Sequence, residues 1–382
     1  MSNLKRPVIG VIDLAMSGWT AGGVVSRTMA LSLGAAGAEA VFITPHPETA
    51  PKGVRSYRPP KPRYLPGEWT FRKFTGWRKL SMTARETREA GVDVVLPDVE
   101  GLGSPGLKAV GWIPDFQHHH LKDLYSDDQR ALLDRAHRGL AERSRLMLFS
   151  SEDCRRDFAT FFPDLAEKAR IASFPSLLVF ETPLGDLAPV REKYHLPERF
   201  LLVINQFWRH KNHRVVPGAL AILRQRGITV PVVMAGMPAD YRDRHNDALS
   251  ETLQAAARGG VWSDCVVLGK VPREDLMALL RMAAAIIQPS RFEGWNTTLQ
   301  DAKAIGCPVI VSDLPVHREQ CPGALGFFPP DNPEALADVI AAHWPSLPAR
   351  PDLAQESAAL DREMVFACSY GQRLLEICTE AS

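Results

Sequence analysis

Short runs of apolar, often β-branched residues alternate with helical patterns along the whole chain. In the first half these runs predict strands at 8–14, 40–45, 92–97, 108–114 and 145–151. Helical patterns predict helices at 22–37 and 126–144, and Ser126 is a candidate N-cap followed by acidic residues in the first turn. Strands that alternate with helices are typical of βα units in a parallel sheet.

The same alternation starts again after a proline-rich stretch at 175–197. Strands are predicted at 200–205, 231–236, 265–269, 284–289 and 307–313, and helices at 213–227, 241–257, 273–283 and 295–305. One more helix, with no strand after it, is predicted at 363–378. The pattern therefore predicts two α/β domains, 1–180 and 181–362, and a helical C-terminal segment, 363–382.

The composition is that of a globular protein without a strong global charge. The chain has 382 residues, of which 45% are hydrophobic and 23% charged, and its net charge is +1. No apolar window is long enough to span a membrane, and Asp13 interrupts the first apolar run, which favours a buried strand over a signal peptide. The six cysteines show no metal-ligand spacing, and we expect a cytoplasmic protein with reduced thiols.

One segment, 52–79, differs in composition from the rest of the chain. It holds nine Lys or Arg residues, one acidic residue, Glu68, and interleaved aromatic residues. Two interpretations stay open. One is an irregular surface excursion. The other is functional: a site for an anionic or lipid-linked partner that gives peripheral contact with the inner membrane surface, or a loop that folds over a bound substrate. Nucleic acid is not expected as a partner, because no recognition motif accompanies the basic residues.

The stretch SRFEGWNTTLQDAKAIG, 290–306, carries the most informative chemistry. A helix that begins near Asn296 or Thr297 leaves backbone N–H groups and a positive dipole end available for an anion, and Gly294 allows close approach. A carboxylate at Glu293 would repel a bare anion unless it binds an uncharged part of the same ligand, such as sugar hydroxyls. Asp301, roughly two turns along, can reach a second hydroxyl pair. A nucleotide sugar has this combination of groups.

AAAIIQPSRFEGWNTTLQDAKAIGCPVIVSD resembles the donor-binding signature of retaining glycosyltransferases of family 4. The resemblance implies the GT-B fold, with two Rossmann-like domains whose parallel sheets face an interdomain cleft, and a last helix that crosses back to the first domain. It associates Glu293 with the transferred sugar. It associates position 301 with the ribose hydroxyls, where Asp301 replaces the family's Glu and has a reach shorter by one methylene.

Two further stretches of the second half match segments of the same family. In LLVINQFWRHKNH, 201–213, Lys211 matches a Lys that neutralises the donor pyrophosphate. The usual Arg position holds Asn205, so either Arg209 supplies the second charge or no residue does; both basic residues can also be solvated loop charges. LGKVPREDLMALL, 268–280, resembles the segment whose backbone, at Lys270 and Val271, holds the nucleotide base.

The first half carries two shorter motifs. GWTAGG, 18–23, matches the glycine loop that approaches the donor phosphates, at Gly22 and Gly23. GWIPDFQHHHL, 111–121, lies where the family has a catalytic His or His-Asp pair, with Pro114 at the position of that His, and its candidates are Asp115 and His118. Three consecutive histidines cannot all face one metal from regular structure, and no metal site is predicted.

We therefore expect a retaining, metal-independent glycosyltransferase that uses no cofactor. Its acceptor is a glycan, a lipid-linked or a small hydroxyl compound, and its task is surface polysaccharide or glycoconjugate biosynthesis. Two alternatives stay open, a nucleotide-sugar epimerase of the same fold and a degenerate nucleotide-binding member. The expected catalytic residues are Glu293, Lys211, His118 and Asp115. The expected donor-binding residues are Gly22, Gly23, Asn205, Arg209, Lys211, Lys270, Val271, Glu293, Gly294, Trp295, Asn296, Thr297, Thr298 and Asp301.

Overall fold

The structure, a computed structural model, describes residues 7–17, 20–59, 89–99, 108–180, 186–238 and 247–382. Contacts divide the chain into two units. Unit 1 is made of Met1–Phe180 and Met364–Ser382, and unit 2 is Glu181–Glu363. Within these described residues, each unit contains one parallel sheet.

Unit 1 has a seven-stranded sheet with the order β3-β2-β1-β4-β5-β6-β7. Its strands are β1 Ile9–Ile12, β2 Ala40–Ile43, β3 Arg55–Tyr57, β4 Val94–Asp98, β5 Ala109–Trp112, β6 Leu146–Phe149 and β7 Ala169–Ile171. Its helices are α1 Thr20–Ala35, α2 Gln117–His120, α3 Asp127–Arg143 and α4 Glu152–Phe161. The inner strands are buried along their whole length, as expected for a parallel sheet covered on both faces.

Unit 2 has a six-stranded sheet with the order β10-β9-β8-β11-β12-β13. Its strands are β8 Leu201–Ile204, β9 Val232–Ala235, β10 Cys265–Gly269, β11 Ala285–Gln288, β12 Val309–Ser312 and β13 Gly326–Phe328. Its helices are α5 Ala188–Lys193, α6 Val215–Gln225, α7 Ala248–Arg258, α8 Arg273–Met282, α9 Thr297–Ala304, α10 Pro315–Gln320 and α11 Pro333–His343. The strand order reverses between β8 and β11, and the carboxyl ends of strands at such a switch point form the usual ligand crevice of open α/β sheets.

The last helix, α12 Leu353–Ala381, begins in unit 2 and belongs to unit 1 from Met364 onward. Its part from Met364 onward packs in unit 1, where Arg373 donates to the carbonyl oxygen of Ile171 at 3.3 Å and Glu380 pairs with Arg170. Over the described ranges, no helix combines the length and the apolar character that crossing a membrane requires.

The predicted strands are present, with ends that differ by a few residues. Ser126 caps α3 as predicted: its hydroxyl accepts from the Gln129 backbone N–H at 3.2 Å, and Gln129 Oε1 accepts from the Ser126 N–H at 2.8 Å. The first residues of the helix predicted at 241–257 lie outside the described residues, and α7 begins at Ala248. None of the six cysteines, all in described parts of the chain, forms a disulfide.

Three strands and several helices are additions to the predicted set. The strands β3, β7 and β13 each have three residues and each lies at an edge of its sheet, where a short exposed run carries no clear alternation. Five helices in the described ranges were also not predicted: α2, α4, α5, α10 and α11. The last helix begins at Leu353, ten residues before the predicted start. The pattern missed these residues because the first turns of the helix are mostly exposed and lack a continuous apolar stripe.

The basic segment 52–79 is only partly described. Its first residues include β3, which pairs in parallel with β2, so this part is regular and not an irregular excursion. Residues 60–79 lie outside the described residues.

Candidate active site

The two strands at the switch point of unit 2 are joined where they end. Asn205 follows β8 directly and Gln288 is the last residue of β11; the Asn205 amide donates to Gln288 Oε1 at 2.9 Å. Both side chains are buried. The backbone of Asn205 also lies so close to Gly236 that a Cβ there would be 1.8 Å from the Asn205 carbonyl oxygen. These contacts hold the carboxyl ends of β8 and β11 together, and the loops that follow the two strands begin there.

Lys211 and Glu293 come from these two loops and contact each other. Lys211 Nζ lies 2.7 Å from Glu293 Oε1, and only 12% and 8% of the two side chains are exposed. The Gln288 amide donates to the same carboxylate oxygen at 2.9 Å. Burial by itself raises the pKa of Glu293, but the Lys211 ammonium and the hydrogen bonds lower it by more, and the net pKa lies below the ordinary 4.5. The site therefore contains a buried, ionised Lys–Glu pair.

The amino end of α9 follows Glu293 by a few residues in the chain, and side-chain hydrogen bonds hold it in place. Asn296, and not Thr297, is the cap: its Oδ1 accepts from the Leu299 N–H at 2.9 Å. Gln320 accepts from the Asn296 N–H at 3.2 Å and donates to the Asn296 carbonyl oxygen at 2.8 Å. Thr298 Oγ1 donates to the Ile204 carbonyl oxygen at 3.2 Å, which ties α9 to the end of β8. No acidic residue lies in the first turn of α9, so its positive dipole end is not neutralised from within the helix.

His317 is a buried neutral group near the pair. Its Nδ1 donates to the Ser312 carbonyl oxygen at 2.9 Å, and Ser312 Oγ donates to the Ser290 carbonyl oxygen at 2.5 Å. Burial lowers the pKa of His317 by more than the Glu293 carboxylate raises it, which keeps the imidazole uncharged at neutral pH. Lys211 therefore carries the positive charge beside Glu293.

Four buried residues around Glu293 were not predicted from the sequence: Gln288, Ser290, His317 and Gln320. A signal exists for one of them. Gln288 ends an otherwise apolar strand, and a polar residue at a buried strand position needs a partner. The others are common polar residues in loops or short helices, and nothing in the local pattern separates them from solvent-exposed ones.

The other predicted residues of unit 2 differ in their exposure to solvent. Arg209 is exposed and lines a small cavity together with Arg214 and Glu251. Lys270 is exposed and Val271 half-buried, directly after β10. Asp301 is buried in the second turn of α9. Gly294 is buried and Trp295 half-buried in the loop between β11 and α9. Their binding roles stay predictions.

The glycine motif of unit 1 has a packing reason of its own. A Cβ at Gly23 would lie 2.6 Å from the Ala15 Cβ, so Gly23 lets α1 approach the turn that follows β1. The Gly22 carbonyl oxygen accepts from Ser26 Oγ at 3.1 Å. The first two residues of the motif lie outside the described residues.

The histidines of 111–121 form two separate contacts. Asp115 Oδ1 accepts from the Gln117 N–H at 2.9 Å and opens α2. Nε2 of His118 and Nε2 of His119 lie 3.0 and 2.7 Å from the same oxygen, Asp134 Oδ1, whereas His120 contacts Asp157. Burial lowers the pKa of His118 by more than Asp134 raises it. Two of the three histidines thus converge on one oxygen although they are consecutive, which the sequence argument against a metal site did not consider.

Residues 190–344, within unit 2, match the family described as Glycosyl transferases group 1. This part of the chain is similar to glycosyltransferase group 1 domains. It includes β8 to β13 and the Lys211–Glu293 pair, and it covers less than half of the chain.

Two curated relatives are glycosyltransferases by name. O-antigen chain mannosyltransferase B of Escherichia coli is 29% identical over 191 residues, which are 47% of this chain and 47% of that protein. A putative glycosyltransferase, EpsF, of Bacillus subtilis (strain 168) is 30% identical over 110 residues, which are 29% of this chain and 26% of that protein. The chain spans less than half the length of either relative.

Solved structures show the fold over nearly the whole chain. A glycosyltransferase from Rickettsia africae ESF-5 has a TM-score of 0.66 at 16% identity and covers 99% of each chain. A sucrose-phosphate synthase from Thermosynechococcus elongatus has 0.65 at 14%, with 98% of this chain and 94% of that one covered. Anabaena Alr3699/HepE, in complex with UDP and glucose, has 0.62 at 14%, with 97% and 98% covered. The fold is GT-B, as predicted.

Proposed function

We propose that the protein is a retaining, metal-independent glycosyltransferase that moves a sugar from a nucleoside-diphosphate sugar to a hydroxyl acceptor. The observation that carries the proposal is the buried Lys211–Glu293 pair beside the capped amino end of α9. A buried ion pair is costly to desolvate and contributes little to stability compared with apolar residues of similar size. Its position at the switch point of the sheet favours a ligand-binding role.

In this proposal, the charged diphosphate and the uncharged sugar of the donor bind different groups of the site. The diphosphate binds the amino end of α9 and the Lys211 ammonium, which supply backbone N–H groups and positive charge. The sugar hydroxyls donate to Glu293, whose low pKa keeps it an acceptor. As the glycosidic bond breaks, negative charge grows on the leaving diphosphate, and these preorganised groups stabilise it. Glu293 also stabilises positive character on the sugar ring.

In this proposal, the substrate class is inferred from the names of the relatives. O-antigen chain mannosyltransferase B and the putative glycosyltransferase EpsF favour a sugar-transfer task, and the first name favours mannose and a surface polysaccharide acceptor. UDP and glucose occur in a related solved structure. Uridine-based donors, and mannose and glucose as the transferred sugars, are therefore the first to test.

The test is a calorimetric binding panel of nucleoside diphosphates and their mannose and glucose esters, followed by a transfer assay with glycan acceptors in the presence of a chelator. One nucleotide series should bind. Lys211→Met should weaken that binding about tenfold or more, since a hydrogen bond to a charged group contributes about 1.5–3 kcal/mol. Lys303→Met, at the exposed carboxyl end of the same helix, should leave the affinity unchanged.

Glu293→Gln separates binding from transfer. It should still bind the nucleotide while transfer falls by about 10²-fold, the usual cost of removing one electrostatic contact to the transition state. The product linkage, read by NMR, should keep the anomeric configuration of the donor. Full transfer activity in Glu293→Gln would overturn the catalytic assignment. An isomerised donor formed without acceptor would favour an epimerase, and nucleotide binding without any turnover would favour a degenerate binder.

A further inference from the structure

The side chains of His118, His119 and Asp134, here called the histidine cluster, bring three metal-ligating atoms together in unit 1. His118 Nε2 lies 3.0 Å and His119 Nε2 lies 2.7 Å from Asp134 Oδ1. All three atoms lie within 4.8 Å of one another. Asp134 comes from α3 and the two histidines from α2, so the cluster joins two helices.

Aromatic packing holds both imidazole rings in this orientation. The His119 ring stacks on Phe161 with 3.7 Å between centroids and an interplanar angle of 13°. The His118 ring lies 4.3 Å from the His119 ring and meets the His137 ring edge-on at 5.2 Å. His137 is half-buried, and its buried Nδ1 has no hydrogen-bond partner among the described residues. The rings cannot turn away without loss of these contacts, and a preorganised ligand set binds a cation at lower entropic cost.

The cluster is closed on one side and open on the other. The exposed fraction of the side chain rises from 3% for His118 to 22% for His119 and 39% for Asp134. Two imidazole nitrogens fixed by the protein and a carboxylate oxygen that reaches solvent leave space for a fourth ligand, such as water. Two histidines and one carboxylate with an open position are a donor set that zinc and neighbouring transition metals accept.

The distances fit such a cation after a small movement. A zinc ion about 2.0–2.2 Å from each of three tetrahedral donors places the donors roughly 3.3–3.5 Å apart. The two separations from Asp134 Oδ1 therefore need to widen by about 0.3–0.8 Å. The half-exposed Asp134 side chain can provide this movement, and the two histidine nitrogens, which lie within 4.8 Å of each other, must come to the same spacing.

We propose that the histidine cluster binds a divalent transition-metal cation of the zinc class through His118 Nε2, His119 Nε2 and Asp134 Oδ1. The cation replaces the two N–H···O hydrogen bonds with three coordinate bonds, and each neutral imidazole then binds through an unprotonated Nε2 and carries its proton on Nδ1. The proposed sugar transfer needs no metal and is carried by Lys211, Glu293 and the amino end of α9; this site takes His118, an expected catalytic residue, as a ligand instead. The inference therefore stands apart from the proposed function.

The experiment uses the full chain without an affinity tag, after treatment with a chelator. Cobalt(II) is titrated as the probe, because its visible absorption reports a tetrahedral nitrogen and oxygen ligand set, and zinc binding is then measured by calorimetry. The unmodified chain should bind one equivalent of either ion. Asp134→Asn and His119→Gln should each weaken binding by at least about tenfold, since even a partner outside the ligand set costs 10–100-fold.

His120→Gln is the matched control, because His120 is adjacent in sequence but contacts Asp157. It should bind both ions as the unmodified chain does. Circular dichroism of the metal-free variants shows whether each one is folded, and the half-exposed Asp134 makes Asp134→Asn the mildest change. The proposal is overturned if the folded unmodified chain does not bind cobalt or zinc, or if His120→Gln weakens binding as much as His119→Gln.

Discussion

Lys211 Nζ and Glu293 Oε1 lie 2.7 Å apart although 82 positions separate the two residues in the chain. The loops after β8 and β11 bring them together, because the carboxyl ends of neighbouring parallel strands share one edge of the sheet. Both side chains are buried, so each charge depends on the other for its compensation. This dependence can be measured without any knowledge of the substrate.

Removal of one charge should cost far more stability than removal of both. Lys211→Met leaves the Glu293 carboxylate buried and unpaired, and we expect the free energy of unfolding to fall by about 3–5 kcal/mol. The double variant Lys211→Met/Glu293→Gln should recover a large part of that loss. Urea unfolding followed by circular dichroism measures both values.

The control for this comparison is Lys193→Met. Lys193 Nζ also lies 2.7 Å from a carboxylate, that of Asp275, but the Lys193 side chain is 54% exposed. Solvent screens this pair, so the control should change stability much less than Lys211→Met. Equal losses in the two variants would contradict the argument from burial.

The ionisation of Glu293 should make stability depend on pH. Its folded-state pKa lies below the ordinary 4.5, so the contribution is fully present above pH 4.5 and is lost as the pH falls through the folded-state pKa. We therefore expect the difference in unfolding free energy between the unmodified chain and Glu293→Gln to be constant at neutral pH and to shrink below pH 4.5. Urea titrations at several pH values measure it. A difference that grows as the pH falls would show that the pKa is raised.

Two asparagine caps allow binding and stability to be separated. Asn296 Oδ1 caps α9 and Asn332 Oδ1 caps α11, each by accepting from a backbone N–H three residues later, at 2.9 and 3.0 Å. Substitution of either by Ala should cost about 1 kcal/mol of stability. Only Asn296→Ala should also weaken nucleotide binding, because only α9 presents its amino end to the proposed donor. Calorimetry with the nucleotide found in the panel decides this, and equal affinity losses would contradict the assignment of α9.

Gly236 is expected to tolerate no side chain. The added Cβ of Gly236→Ala would lie 1.8 Å from the Asn205 carbonyl oxygen, a backbone atom that can move only with the end of β8. We expect a loss of about 1–3 kcal/mol or more in the free energy of unfolding. At Gly323 an added Cβ meets no heavy atom within 4 Å, so Gly323→Ala should change stability by less than about 0.5 kcal/mol. Thermal and urea unfolding of both variants test this pair.

The buried strands and long helices could be predicted because their signal is local. A run such as LLVIN is apolar wherever its partners lie, and the Ser126 cap depends on residues three positions away. The edge strands β3, β7 and β13 lack such a signal, since three residues show no period. They exist because a longer neighbouring strand offers them hydrogen bonds.

The site was predictable only where chemistry and topology act together. Glu293 and Lys211 follow apolar strands, and a charged residue at a strand exit is a signal in itself. The hydrogen bonds between Asn205 and Gln288, and between Gln320 and Asn296, join residues 83 and 24 positions apart. No local pattern encodes such pairs, because each depends on how the strands and helices pack.

The membership of Met364–Ser382 in unit 1 has a consequence for biosynthesis. On the ribosome, residues 1–180 emerge well before Met364–Ser382. This later segment completes the core of unit 1 with buried residues that include Leu374, Ile377 and Cys378. Domains ordinarily fold in the order in which they are made. Unit 1 therefore begins to emerge before unit 2 but is completed after it, and until then residues 1–180 leave exposed the apolar surface that Met364–Ser382 covers.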